Sequence, residues 1–214
     1  MYSESHSWVM MPLLLSLAVA TAAANDPPRP VFPGAFSVRW NLTKGAHDPL
    51  TTVSSGATEL DDSGSGKQRD TMLFLRKSDL YPGKTFHMTV ETISDWAAGD
   101  SWTHKCSNQT AVELCTCEYI AITGVIHYRR SPAATFAGTE VVGGVVLNRW
   151  QITPTIVWAV TAGSQPNLLV KAREVFDALT GPNGIAEQVF GKYTIGPPAP
   201  SRWVVPLVWN CSKQ

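Results

Sequence analysis

A mainly β domain is what this sequence predicts: an antiparallel sheet of about eight strands or more, with one or two helices. Three observations carry that expectation. Segments alternating apolar and polar residues recur along the chain. Gly, Pro, Asn and Asp clusters separate them. A single segment has apolar residues at helical spacing. A sheet this large must curl, close or pack against another layer.

The first 24 residues precede the domain. Val9–Ala20 is uncharged and apolar, and Ala22-Ala23-Ala24 follows with the small residues of an A-x-A site. That arrangement is a secretory signal peptide, with cleavage after Ala24 or, less well fitting, after Ala22. The leader has no Lys or Arg and carries Glu4. A retained anchor is the rival reading, and the run is shorter than the ~20 residues that span a bilayer. The expected location is secreted or extracellular, or the lumen of the secretory pathway. Residues 25–33 form a proline-rich, extended lead-in, and 34–214 a single β-rich domain.

In the first strand, Ala35–Leu42, Phe36, Val38, Trp40 and Leu42 share a face. Residues 54–70 are rich in Ser, Gly, Asp and Thr and read as a mobile loop. Thr71–Arg76 is a strand, and Tyr81-Pro82-Gly83-Lys84 a turn. Thr85–Ile93 is the next strand, with Phe86, Met88, Val90 and Thr92 facing one way and His87, Thr89 and Glu91 the other. Trp96–Thr110 reads as loop. Strands are expected at Glu118–Ile122, Gly124–Tyr128, Glu140–Leu147 and Thr155–Thr161, with Ser131-Pro132 a break and Ala162–Pro166 a turn. In Asn167–Leu179 helix and strand compete: Leu168, Leu169, Ala172, Val175, Phe176 and Leu179 follow helical spacing, and Gly181-Pro182 is a stop signal. Trp203–Trp209 is a short apolar tail.

Seventeen Lys and Arg balance seventeen Asp and Glu. Losing Glu4 with the leader leaves 17 basic residues against 16 acidic ones. So neutral a chain has no electrostatic reason to bind nucleic acid or an anionic membrane. Charged residues are only 16% of the chain, against about 25% in a typical soluble domain. Eight Trp residues demand burial in a core, a ligand groove or a partner contact.

Cys106, Cys115, Cys117 and Cys211 allow three pairings. Cys115 and Cys117 share a strand face too far apart for an easy bridge, which leaves two schemes. Each joins Cys106 to one member of Cys-Thr-Cys and Cys211 to the other. A metal site is disfavoured, because Cys-x-Cys lacks a second close pair. Asn41, Asn108 and Asn210 begin N-x-S/T sequons and are candidate glycosylation sites in a eukaryotic host.

No nucleophile elbow, zinc-protease helix or phosphate-cradling loop is present, so no catalytic residue, metal ligand or cofactor is expected. His87, His104 and His127 are scattered. Glu91, Glu118 and Glu140 could in principle supply a carboxylate pair, but their spacing does not require it. Asp61–Gly66 lacks the acidic spacing of a calcium loop.

Several pieces follow one another along the chain. They are Pro33–Val38 behind the leader, Gln68-Arg69-Asp70 before a strand, and Gly138–Gly144 followed by Trp150. Trp158 with the Gly163–Pro166 turn and Leu168-Leu169 comes next, then Trp203-Val204-Val205-Pro206 before Cys211. In that order they resemble the secreted ependymin-related family, over about residues 30–212. One departure is that Val145–Arg149 holds no cysteine where related chains often place one, so a disulfide pattern does not transfer. The resemblance implies a strongly curved half-barrel sheet, a fold shared with bacterial lipoprotein carriers, around a deep apolar cavity. It further implies a non-catalytic binding protein for a lipid or other hydrophobic small molecule, with a homodimer possible. Candidate wall residues are Phe36, Val38, Trp40, Phe74, Met88 and Trp158; a core uses the same residue types, and plain core packing is the favoured role for each. The alternatives are a secreted hydrolase without a recognisable motif and an extracellular adhesion or surface protein.

Overall fold

A computed structural model describes residues 26–44, 51–62, 66–77, 83–108, 114–123, 134–163, 165–176 and 184–211. The leader, the Gly124–Tyr128 strand, His127, Ser131-Pro132 and the Gly181-Pro182 stop signal lie outside the described residues. The first half contributes β1 (Ala35–Lys44), β2 (Thr51–Asp61), β3 (Lys67–Lys77), β4 (Thr85–Asp95), β5 (Asp100–Ser107) and β6 (Leu114–Ala121). The second contributes β7 (Thr135–Val142), β8 (Val145–Gln151), β9 (Ile156–Thr161), β10 (Leu169–Phe176), β11 (Gly184–Phe190) and β12 (Thr194–Ile195). Two single-turn 3-10 helices, Pro200–Trp203 and Leu207–Trp209, follow.

All twelve strands form one antiparallel sheet in the order β6-β5-β4-β3-β2-β1-β11-β10-β9-β8-β7, with β12 also beside β1. The strand with the clearest alternation, β1, thus lies at the centre. Its Phe36, Val38 and Trp40 stand opposite Leu60, Thr58 and Gly56 of β2. Phe36, Val38, Trp40 and Leu60 join Trp150, Val160, Leu169 and Phe190 in the main buried cluster. All lie on one side of the sheet, because directly paired residues of neighbouring strands point the same way. On β4, Phe86 and Val90 are buried while His87 and Thr89 are exposed, which is the alternation its sequence predicts.

Four expectations are corrected. Residues 54–61 and 67–70 are not loop: β2 and the start of β3 occupy them. Their small polar residues are accommodated because cross-strand partners on both sides supply the packing. Trp96–Thr110 contains β5, whose Trp102, His104 and Cys106 share one face. The helix-spaced segment is extended: Leu169–Phe176 pairs with β9 on one side and β11 on the other. Two ladders override the helical spacing, and the described residues contain no α-helix. Lastly, Glu140–Leu147 is two strands rather than one. Gly143 and Gly144 have φ of 57° and 81°, the left-handed pair that a two-residue hairpin turn requires.

The opposite side of the sheet carries the C-terminal tail. The Arg202 guanidinium donates to Glu59 at 2.8 and 3.0 Å, and its carbonyl accepts from Arg69 Nη1 at 2.9 Å. Arg69 is itself paired with Glu91. Further along, Trp209 stacks on His104 with ring centroids 4.8 Å apart. The tail then ends in the Cys117–Cys211 disulfide, and Cys106–Cys115 bridges β5 and β6 directly. Both bonds follow one of the two schemes left open by the sequence.

Candidate functional site

The candidate site is the apolar side of the sheet. Pairing register puts all six candidate wall residues there. Phe74 of β3 faces Met88 of β4, and Trp158 of β9 is flanked by Trp150 of β8 and Ala172 of β10. Their burial divides them. Phe36, Val38 and Trp40 retain at most 7% exposure and are core. Phe74, Met88 and Trp158 are half-buried, so they have surface to offer a ligand.

The proline-rich lead-in folds back over one end of this face. Phe32 meets Trp158 edge-on, with centroids 5.6 Å apart. Val31 N–H donates to Asn167 Oδ1 at 2.8 Å, and Asn167 N–H returns a bond to the Val31 carbonyl at 2.7 Å. Beneath this segment lies a cleft of about 360 Å³ lined by Pro30–Gly34, Leu60 and Asp62. That volume lies at the low end of ordinary small-ligand sites.

A polar chain crosses the same face. Trp40 Nε1 donates to Thr58 Oγ1 at 3.3 Å, and the Thr58 hydroxyl donates to Asp70 Oδ1 at 2.7 Å. Gln68 Nε2 donates to Asp70 Oδ2 at 2.6 Å. Next in the row, Thr92 and Thr103 share a hydroxyl bond at 3.2 Å, and Ser94 and Ser101 share one at 3.0 Å. Burial raises the Asp70 pKa above the usual carboxylate range, opposed by the hydrogen bonds from Thr58 and Gln68. Gln68 Oε1 is buried without a hydrogen-bond partner. Sequence reasoning missed this chain. Its one visible sign is Asp70 following Gln68 at the spacing that puts both on one strand face.

Asp70 gives a pH-dependent prediction. Its folded-state pKa lies above the unfolded value, so the stability it confers is complete below the unfolded pKa and lost as pH rises through the folded one. Asp70→Asn removes the ionisation. It also lets Gln68 turn its amide so that Oε1 accepts from the new Asn nitrogen. The expected outcome is a variant that gains on the parent protein between acidic and neutral pH. Denaturant unfolding across that range checks this, and a difference independent of pH contradicts it.

The other candidate groups are not gathered into one site. Glu91 pairs with Arg69, Glu118 with Lys105 at 3.6 Å, and Glu140 with Lys171 at 3.0 Å. Those glutamates lie on β4, β6 and β7, and β7 is at the far edge of the sheet. His87 is exposed and His104 is stacked under Trp209. His104, Cys106 and Cys115 have their ligand atoms within 4.8 Å of one another, but both sulfurs are spent in a disulfide. Asn41, Asn108 and Asn210 are all exposed. The Asn108 side-chain oxygen accepts from His87 N–H, leaving its nitrogen pointed elsewhere. No protein-family model matches the chain, and no curated protein matches it.

Proposed function

We propose that this is a secreted, disulfide-bonded binding protein that holds a lipid or other elongated hydrophobic molecule, without catalysis, in the manner of ependymin-related chains. One observation carries the reading. Half-buried Trp158 packs against a deeply buried apolar cluster, half-buried Phe74 and Met88 lie farther along the same face of the sheet, and no helix of the described residues covers that face. Core residues shielded to a few per cent on such a face favour a sheet that bends around them, the half-barrel expected from the resemblance. Each methylene of a ligand buried there contributes about 0.8 kcal/mol, so an acyl chain is held without a charged contact.

A fluorescent acyl probe tests the proposal. With delipidated protein the probe should bind saturably, brighten and quench Trp emission. Trp158→Ser should weaken binding roughly tenfold, about 1.4 kcal/mol, with a modest loss of stability. Trp40→Ser should instead destabilise the fold by about 3–5 kcal/mol, as buried aromatic truncations do. Absence of saturable binding by the folded protein overturns the reading.

A further inference from the structure

The β7–β8 hairpin ends in Val141-Val142-Gly143-Gly144-Val145-Val146, six residues with no polar side chain. Val141 is 67% exposed, Val145 55% and Val146 52%. Val141 pairs with Val146 and Val142 with Val145, so the exposed valines occupy both faces of the hairpin. At its base the composition changes. Glu140 holds Lys171 at 3.0 Å, and Asn148 and Arg149 follow Leu147.

We propose that this tip is a membrane-contact device that inserts shallowly and reversibly into a lipid bilayer irrespective of headgroup charge. A protein groove would cover one face of a ribbon, whereas acyl chains surround both. Two residue pairs and a turn reach roughly 10 Å, which matches the 5–10 Å depth at which surface-bound elements meet the acyl boundary. Within the tip, the hairpin also satisfies its inward-facing backbone groups by its own pairing. With no basic residue in the tip, nothing there favours an anionic surface.

Self-association is the weaker alternative for two reasons. Six small residues fall far short of the ~800 Å² per partner of a stable interface. The outer edge of β7, the last strand in the order among the described residues, is also interrupted: Gly138 has φ of 92°, and the register shifts between Phe136 and Thr139. A bulge of that kind blunts strand-to-strand joining. The inference does not depend on the apolar ligand proposed above.

Flotation of the purified secreted chain with vesicles is the test. The protein should float with pure phosphatidylcholine vesicles and equally with vesicles containing phosphatidylserine, and raised salt should not release it. Val141→Asp combined with Val145→Asp should lower the bound fraction roughly tenfold or more. Circular dichroism and acyl-probe binding should stay unchanged, which separates this proposal from the ligand-binding one. Val145→Leu should float as well as the parent, and Val145→Trp should shift its emission to the blue with vesicles. No flotation of the parent, or equal flotation of the aspartate variant, overturns the proposal. So does a concentration-dependent dimer that the aspartate variant abolishes.

Discussion

Removing the Cys117–Cys211 disulfide, by changing both residues to serine, is expected to destabilise the domain by about 2–5 kcal/mol. The loop it closes is long. Its cysteines are 94 residues apart, against 9 for Cys106–Cys115. Loop-closure entropy grows with the logarithm of that separation, so the long bridge should outweigh the short one by about 2 kcal/mol. The native state loses a constraint as well. The tail is tied to β6 only near its end, so Trp209 is released from His104, while the Arg202 contacts to Glu59 and Arg69 remain. Denaturant unfolding of the parent and of the two double-serine variants measures the order directly. Near-ultraviolet dichroism should report the freed tryptophan. A larger loss from the short bridge contradicts the account.

Gly56→Ala is expected to be as damaging. Gly56 sits mid-strand between Trp40 and Met72, with the Trp40 ring lying over it. An added Cβ would overlap the Thr71 carbonyl oxygen and the Trp40 ring, including Cε2 at 2.8 Å. Neither neighbour is free to retreat. The Thr71 carbonyl belongs to a paired strand, and the indole is held by its hydrogen bond to Thr58. Overpacking commonly costs about 1–3 kcal/mol, and this site should reach or exceed the upper end. Adding Trp40→Phe should restore only part of the loss, because the backbone overlap persists. Thermal or urea unfolding of the single and double variants checks both statements; full recovery in the double variant would show the ring alone to be responsible.

The elements legible in the sequence were those whose alternation one face enforces. In β1, Phe36, Val38 and Trp40 sit against buried partners, and in β4 Phe86 and Val90 alternate with exposed residues. Elements whose surroundings do the specifying were hidden. Glycine at position 56 looks like a breaker until Trp40 is placed above it. The polar residues of β5 look like loop until their partners on β4, β6 and the tail are known. The segment 169–176 carries a helical spacing that two neighbouring ladders overrule. At the site, the aromatic residues could be named but not divided between core and wall, because both roles use the same side chains. The Asp70 chain needed the β2–β3 register, which brings Thr58 opposite Asp70.

The strand order has a consequence for how the chain is made. Synthesis runs from the amino end, and β1 to β6 can add to one another in sequence, each beside the strand just completed. The other flank of β1 waits. Its partner is β11, with Trp40 opposite Phe190, so the middle of the finished sheet is an open border during elongation. The second set of strands grows in the opposite sense, from the far rim inward, and the seam closes last. A nascent chain of this design therefore carries one edge of its most apolar strand unpaired until nearly the whole polypeptide has emerged.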